Sequence, residues 1–237
     1  MGRQLAKAPL QEVMIELRWK LDEPWDPAFE PGCGLFWAAI REEFPVHVRI
    51  NPTTYPDVYR VQHQYRKQQE DSTAIQLGHG VLTVSHATKG YSWEEAFFPF
   101  FRKTLYTFLQ VYPLEKIEFN LVLLRYLDAV KIEDYGHAVL DAFLAENMNV
   151  VLQNDLPGYT ARNLKIQQEF DVEAGKVLLV VNSGLLDGKT AITWSTTCAN
   201  RKAQTPEQIE EWLNVAHKIQ GDLFVKVCKP NFYASFQ

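Results

Sequence analysis

Apolar and polar residues alternate over positions 13–19, where Val13, Ile15, Leu17 and Trp19 interleave with Met14, Glu16 and Arg18, and this period of two predicts a half-buried strand. Residues 119–128 read the same way but with more apolar positions, as a more central strand would. Each strand leads into a helical pattern, at 34–44 and at 135–147, and in the second Val139, Leu140, Phe143 and Leu144 form one stripe. Three strands follow in each half. Tyr59, Val61, His63 and Tyr65 share one predicted face against Arg60, Gln62, Gln64 and Arg66. Leu164, Ile166, Gln168 and Phe170 oppose Lys165, Gln167, Glu169 and Asp171. Gly78-His79-Gly80 and Asp187-Gly188 carry the turn chemistry that joins the next strands into hairpins. Ser92 with Glu95, and Thr205 with Gln208, make capping boxes that open two long amphipathic helices; Pro99 inside the first predicts a bend or a delayed start.

The order β-α-β-β-β-α thus recurs about 103 to 113 residues later. The expected fold class is α+β: duplicated halves, at about residues 8–112 and 114–228, share a curved antiparallel sheet with long helices packed on one face. A short C-terminal tail completes a single domain over 1–237. In element order this resembles the duplicated fold of TATA-binding protein, and such a likeness carries no function with it.

Composition narrows the class. The chain has 237 residues, 46% of them hydrophobic and 13% aromatic, enough for a sizeable core without metals or disulfides. Cys33, Cys198 and Cys228 are odd in number and unpaired by spacing, as in a reducing compartment, and the N-terminal residues lack the apolar core of a signal peptide. A cytoplasmic location without membrane insertion is expected. The net charge of −5, with Arg60 and Arg66 mixed among Glu169 and Asp171 on predicted outward positions, disfavours nucleic acid as partner.

No motif announces a reaction. The six histidines show no HExxH spacing and the cysteines no CxxC, so no metal or other cofactor is expected. Asn182-Ser183-Gly184 is not a nucleophile elbow, and Gly32-Cys33-Gly34 is too short for a phosphate loop. The candidate ligand- or partner-binding residues are five. His63 and Gln168 occupy matching steps in matching strands, each a polar group among apolar ones. Arg125 and Tyr126 end the apolar run Leu121-Val122-Leu123-Leu124, where an arginine suits an anion or a carboxylate. His217 lies on the last long helix, placed to bond a neighbouring element or a ligand. Trp25, Tyr55, Tyr91, Phe232, Tyr233 and Phe236, near predicted loops or the C-terminus, are candidates to anchor a partner or to fold back on the sheet.

Lys7-Ala8-Pro9-Leu10 with Glu12-Val13, Gly80 followed by Tyr91 and Trp93, Leu124-Arg125-Tyr126, and Trp212 with Ala216-His217 and Phe224 resemble a sporadically distributed prokaryotic protein family with no established activity. Its patchy distribution implies mobile genes, including defence or toxin–antitoxin neighbourhoods. The expected function is non-enzymatic recognition of a protein partner, regulatory or antitoxin-like. The alternative is a small-molecule binder or enzyme with a pocket between sheet and helices.

Overall fold

The computed structural model describes residues 5–21, 27–50, 58–69, 73–87, 91–112, 117–150 and 163–237. The protein is mixed α+β, with nine strands in one antiparallel sheet ordered β2-β3-β4-β5-β1-β6-β9-β8-β7. The chain divides into two compact units: residues 12–124 with 199–213, and residues 1–11 with 125–198 and 214–237.

The 12–124 unit contains most of β1 (Leu10–Trp19), α1 (Phe29–Ile40), β2 (Val46–Arg49), β3 (Val61–Arg66), β4 (Thr73–Gly78), β5 (Val81–His86), a π-helical turn (Trp93–Phe97) and α2 (Phe98–Val111). Directly opposed residues on neighbouring strands share a face. The register therefore generates rows. Arg49, His63, Leu77, Leu82 and Leu17 form one, and His47, Tyr65, Ile75, Val84 and Ile15 a second beside it. Phe36 of α1 meets Tyr65 edge-on at 5.5 Å and Phe108 of α2 meets Trp19 at 5.3 Å, so both helices cover this face. The opposite face carries Val48, Gln64, Gln76, Thr83 and Glu16 in a row.

The first half departs from its predicted pattern in three places. The helix expected at 34–44 begins earlier, because Phe29, Cys33 and Phe36 bury one stripe and Pro31 in the first turn needs no amide partner. Val46–Arg49 adds a short strand. Tyr59 does not continue β3 but turns into the left-handed region (φ 67°), its amide donating to the His79 carbonyl at 2.7 Å. This brings the Arg60 backbone against the next hairpin, where a Cβ on Gly78 would lie 1.9 Å from the Arg60 oxygen; only glycine fits. Gln62 is then an extra residue between Val61, opposite Gly78, and His63, opposite Leu77. The bulge moves His63 and Tyr65 to the face opposite Val61 and buries Gln62.

The other unit holds the end of β6 (Phe119–Lys131), a 3₁₀ turn (Ile132–Tyr135), α3 (Leu140–Asn147), β7 (Lys165–Val172), β8 (Gly175–Leu186), most of β9 (Lys189–Asn200), the later part of α4 (Pro206–Val227) and α5 (Pro230–Ala234). The helix expected at 135–147 is interrupted because Gly136 takes a left-handed conformation (φ 77°). The Asp187-Gly188 turn has positive φ at both residues, as the hairpin signal requires. Phe143, Trp194, Phe232 and Phe236 centre the core, with Phe143 and Phe232 edge-on at 5.5 Å. The aromatic C-terminus folds back here, held by an amide-to-carbonyl bond from Lys7 to Phe236 at 3.0 Å. Tyr91 and Tyr233 are half-buried, while Trp25 and Tyr55 lie outside the described residues.

Both predicted caps form. Ser92 Oγ accepts the Glu95 amide at 3.3 Å, though the α-helix proper starts at Phe98 with Pro99 in its first turn. Thr205 Oγ1 accepts the Gln208 amide while Gln208 Oε1 accepts the Thr205 amide, each at 3.4 Å. Thr205→Ala should lower stability by about 0.5–2 kcal/mol in denaturant unfolding, and Gln208→Ala by less.

Candidate functional site

Three histidines converge in the 12–124 unit. The bulge presents His63 to the covered face, β2 lays His47 and Arg49 alongside it, the first turn of α1 supplies Phe29 and Glu30, and the β4–β5 turn supplies His79. His47 Nε2 and His63 Nδ1 are 2.8 Å apart. His63 Nε2 stands 3.6 Å from Glu30 Oε2, and Glu30 Oε1 accepts from Arg49 Nη2 at 2.9 Å. Phe29 packs its ring 4.1 Å from His79 and 5.5 Å from His63, and Tyr65 stacks on His47 at 4.8 Å. His63 and His79 are buried, whereas His47 is exposed.

Electrostatics fixes the protons. Burial holds His47 and His63 below the ordinary histidine pKa; Glu30 opposes this at both, while His47, Arg49 and His79 reinforce it at His63. Two neutral imidazoles sharing a hydrogen bond need one donor and one acceptor. With the Glu30 carboxylate facing His63 Nε2, the favoured arrangement puts a proton on that nitrogen, leaves Nδ1 as acceptor and makes His47 Nε2 the donor. His47 Nδ1 is then an acceptor on an exposed side chain. The row Glu30–His63–His47 can pass a proton inward or accept a hydrogen bond from a ligand at the exposed ring. Tyr65 stays protonated through burial, its hydroxyl donating to the Cys33 carbonyl at 3.2 Å.

The second unit brings two predicted residues into contact. Tyr126 Oη and His217 Nδ1 are 2.8 Å apart, joining β6 to α4. Gln220 Nε2, one turn further along α4, donates to the Thr196 carbonyl of β9 at 3.0 Å. Burial lowers His217 to about 4 and raises Asp128, two residues past Tyr126 and so on its face of β6, to about 8. Near neutral pH both are uncharged, and the seam beneath α4 is polar without being ionic. Arg125, pointing to the other side of β6 by strand alternation, is half-buried. Gln168 keeps its predicted face, opposite Leu179, but is exposed, because β7 is an edge strand.

Glu30, His47, Arg49 and His79 escaped sequence reasoning, as did Asp128. The alternation Val46-His47-Val48-Arg49 was a readable strand signal, and a carboxylate in step with Leu124 and Tyr126 was a readable anomaly. A hollow of about 160 Å³ between α1, β4 and α2 is lined by no histidine, and Glu43 at its rim is held by Lys103 at 2.6 Å and Lys67 at 3.1 Å. Among the described residues no group of three or more His, Cys, Asp or Glu is arranged to hold a metal ion. In comparisons with known proteins, no family model and no curated sequence matches the chain.

The buried groups impose a pH dependence with opposite limbs. An unfolded histidine protonates at about 6.5, and His47, His63 and His217 do so in the fold only at lower pH, so their contribution to stability falls as pH drops below about 6.5. Asp128 keeps its proton in the fold but loses it near about 3.9 when unfolded, so its contribution falls as pH rises from about 4 towards 8. Melting temperatures recorded from pH 4 to 9 should rise on the alkaline side in Asp128→Asn and show a shallower acid limb in His217→Phe. Profiles parallel to the wild type would contradict the assignment.

Proposed function

We propose that this chain is a non-enzymatic recognition protein that receives another protein on the polar face of its sheet. The observation that carries this reading is the cross-strand row Gln64, Gln76 and Glu16, which offers amide and carboxylate groups on half-buried side chains held by four paired strands, with Thr83 of β5 buried within the row. Such a row pays little conformational entropy on binding. Its chemistry suits a peptide surface better than a phosphate backbone, since Arg18 beside it is already bonded to Glu16 at 2.6 Å and Arg66 donates to the Gln69 carbonyl at 3.2 Å. In its most concrete form the role is regulatory and antitoxin-like, in a cytoplasmic setting, as the resemblance to a sporadically distributed prokaryotic family implies. Two β-α-β-β-β-α copies related by duplication, in the manner of TATA-binding protein and with long helices on one face, form the scaffold on this reading. Its supports are the capping boxes at Ser92 and Thr205, each following a hairpin in its half, and Val46–Arg49 is an addition to the first copy.

A second reading, a small-molecule binder or enzyme, is favoured by one feature, the hydrogen-bonded His47–His63 pair, which runs from an exposed ring to a buried one. Native purification followed by mass spectrometry separates the two. A protein recovered in stoichiometric amount with the wild type, and lost with Gln76→Arg while stability changes by less than about 0.5 kcal/mol, is the expected result. A small molecule recovered instead, and lost with His63→Phe, would overturn the first reading in favour of the second. Generic duplex DNA should show no shift at physiological salt in a mobility assay.

A further inference from the structure

Among the described residues, strand β7 ends the sheet as an eight-residue edge. It pairs with β8 without a break in register from Lys165 to Val172, contains no proline or bulge, and its outward amides and carbonyls meet no partner among the described residues. An edge this long is ordinarily blunted by a bulge, a proline or a charge turned inward. Here the inward-facing series is Ile166, Gln168 and Phe170, with Phe170 40% exposed although it lies on the side that Val177, Leu179 and Val181 bury in β8.

The sequence of β7 is complementary to itself when reversed. Antiparallel pairing about a twofold axis through Gln168 sets Lys165 opposite Asp171, Ile166 opposite Phe170, and Gln167 opposite Glu169, with Gln168 opposite its own copy; just before the strand, Leu164 meets Val172. Every apolar side chain then faces an apolar one and each strand end gains an opposite charge. Moving the axis to Glu169 would set two carboxylates face to face, and moving it to Gln167 would pair Ile166 with Gln168. A shift by an odd number of residues would turn one chain's apolar face to the other's charged face. We propose that the chain forms a twofold homodimer by antiparallel pairing of β7 with β7, in register about Gln168. This surface is independent of the polar face assigned above to a protein partner, so either assignment can fail alone.

Sedimentation of the full chain over a micromolar concentration series should show a monomer–dimer equilibrium. Lys165→Glu places like charges at both symmetry-related ends and should weaken the dimer by at least about tenfold, as should Asp171→Lys. The double variant Lys165→Glu/Asp171→Lys should return to within about threefold of wild type. Lys165 and Asp171 are exposed, so the circular dichroism spectra of these variants should match the wild type and show that the fold is kept. Gln168→Cys should give a disulfide-linked dimer on mild oxidation, since the native Cys33, Cys198 and Cys228 are buried thiols. A monomer at every concentration would overturn the proposal. So would a dimer indifferent to Lys165→Glu, or one in which Gln168→Cys does not cross-link.

Discussion

The bulge at Gln62 decides what the covered face of the 12–124 unit contains. Side chains alternate along a strand, so one added residue exchanges every later position between faces. Without it, Gln62, Gln64 and Arg66 would point at α1 and α2, while His63 and Tyr65 would point away. With it, Tyr65 reaches the Cys33 carbonyl and His63 reaches His47 and Glu30. The device is enforced locally by the left-handed turn at Tyr59 and by the side-chain-free Gly78 beneath Arg60. A chemical cluster thus rests on a backbone constraint several residues away from it.

The two units handle buried ionisable groups by one economy. His63 in one, and His217 and Asp128 in the other, lie largely out of water, and these three, with the more exposed His47, are driven towards their uncharged forms. An isolated buried charge is far costlier than a buried hydrogen bond. Neutral pairs such as Tyr126–His217 therefore cross-brace strand and helix at small cost, while remaining able to take up a proton if the surroundings open.

Strand periodicity, hairpin turns and capping boxes were legible because they depend on residues close in sequence. Val81–His86, the Asp187-Gly188 turn and the Thr205 cap required no tertiary information. The early start of α1 and the break at Gly136 were hidden, since they depend on which side chains find cover and on a glycine's freedom to turn. The candidate residues divide on the same line. Tyr126 and His217 stood out as polar residues beside apolar stripes and meet each other. Gln168 stood out by the same rule, but its strand lies at an edge, and edge position cannot be read from alternation. The histidine cluster draws on α1, β2, β3 and the β4–β5 turn, so its members announced themselves only singly.

Strand β1 is hydrogen-bonded between β5 and β6, both of which are made after it. Until residues 81–86 and then 119–131 have been synthesised, its alternating Val13, Ile15, Leu17 and Trp19 have neither neighbour to cover them. Such long-range closure is slow compared with hairpin formation. The nascent chain therefore carries this adhesive segment from the synthesis of β1 until that of β6.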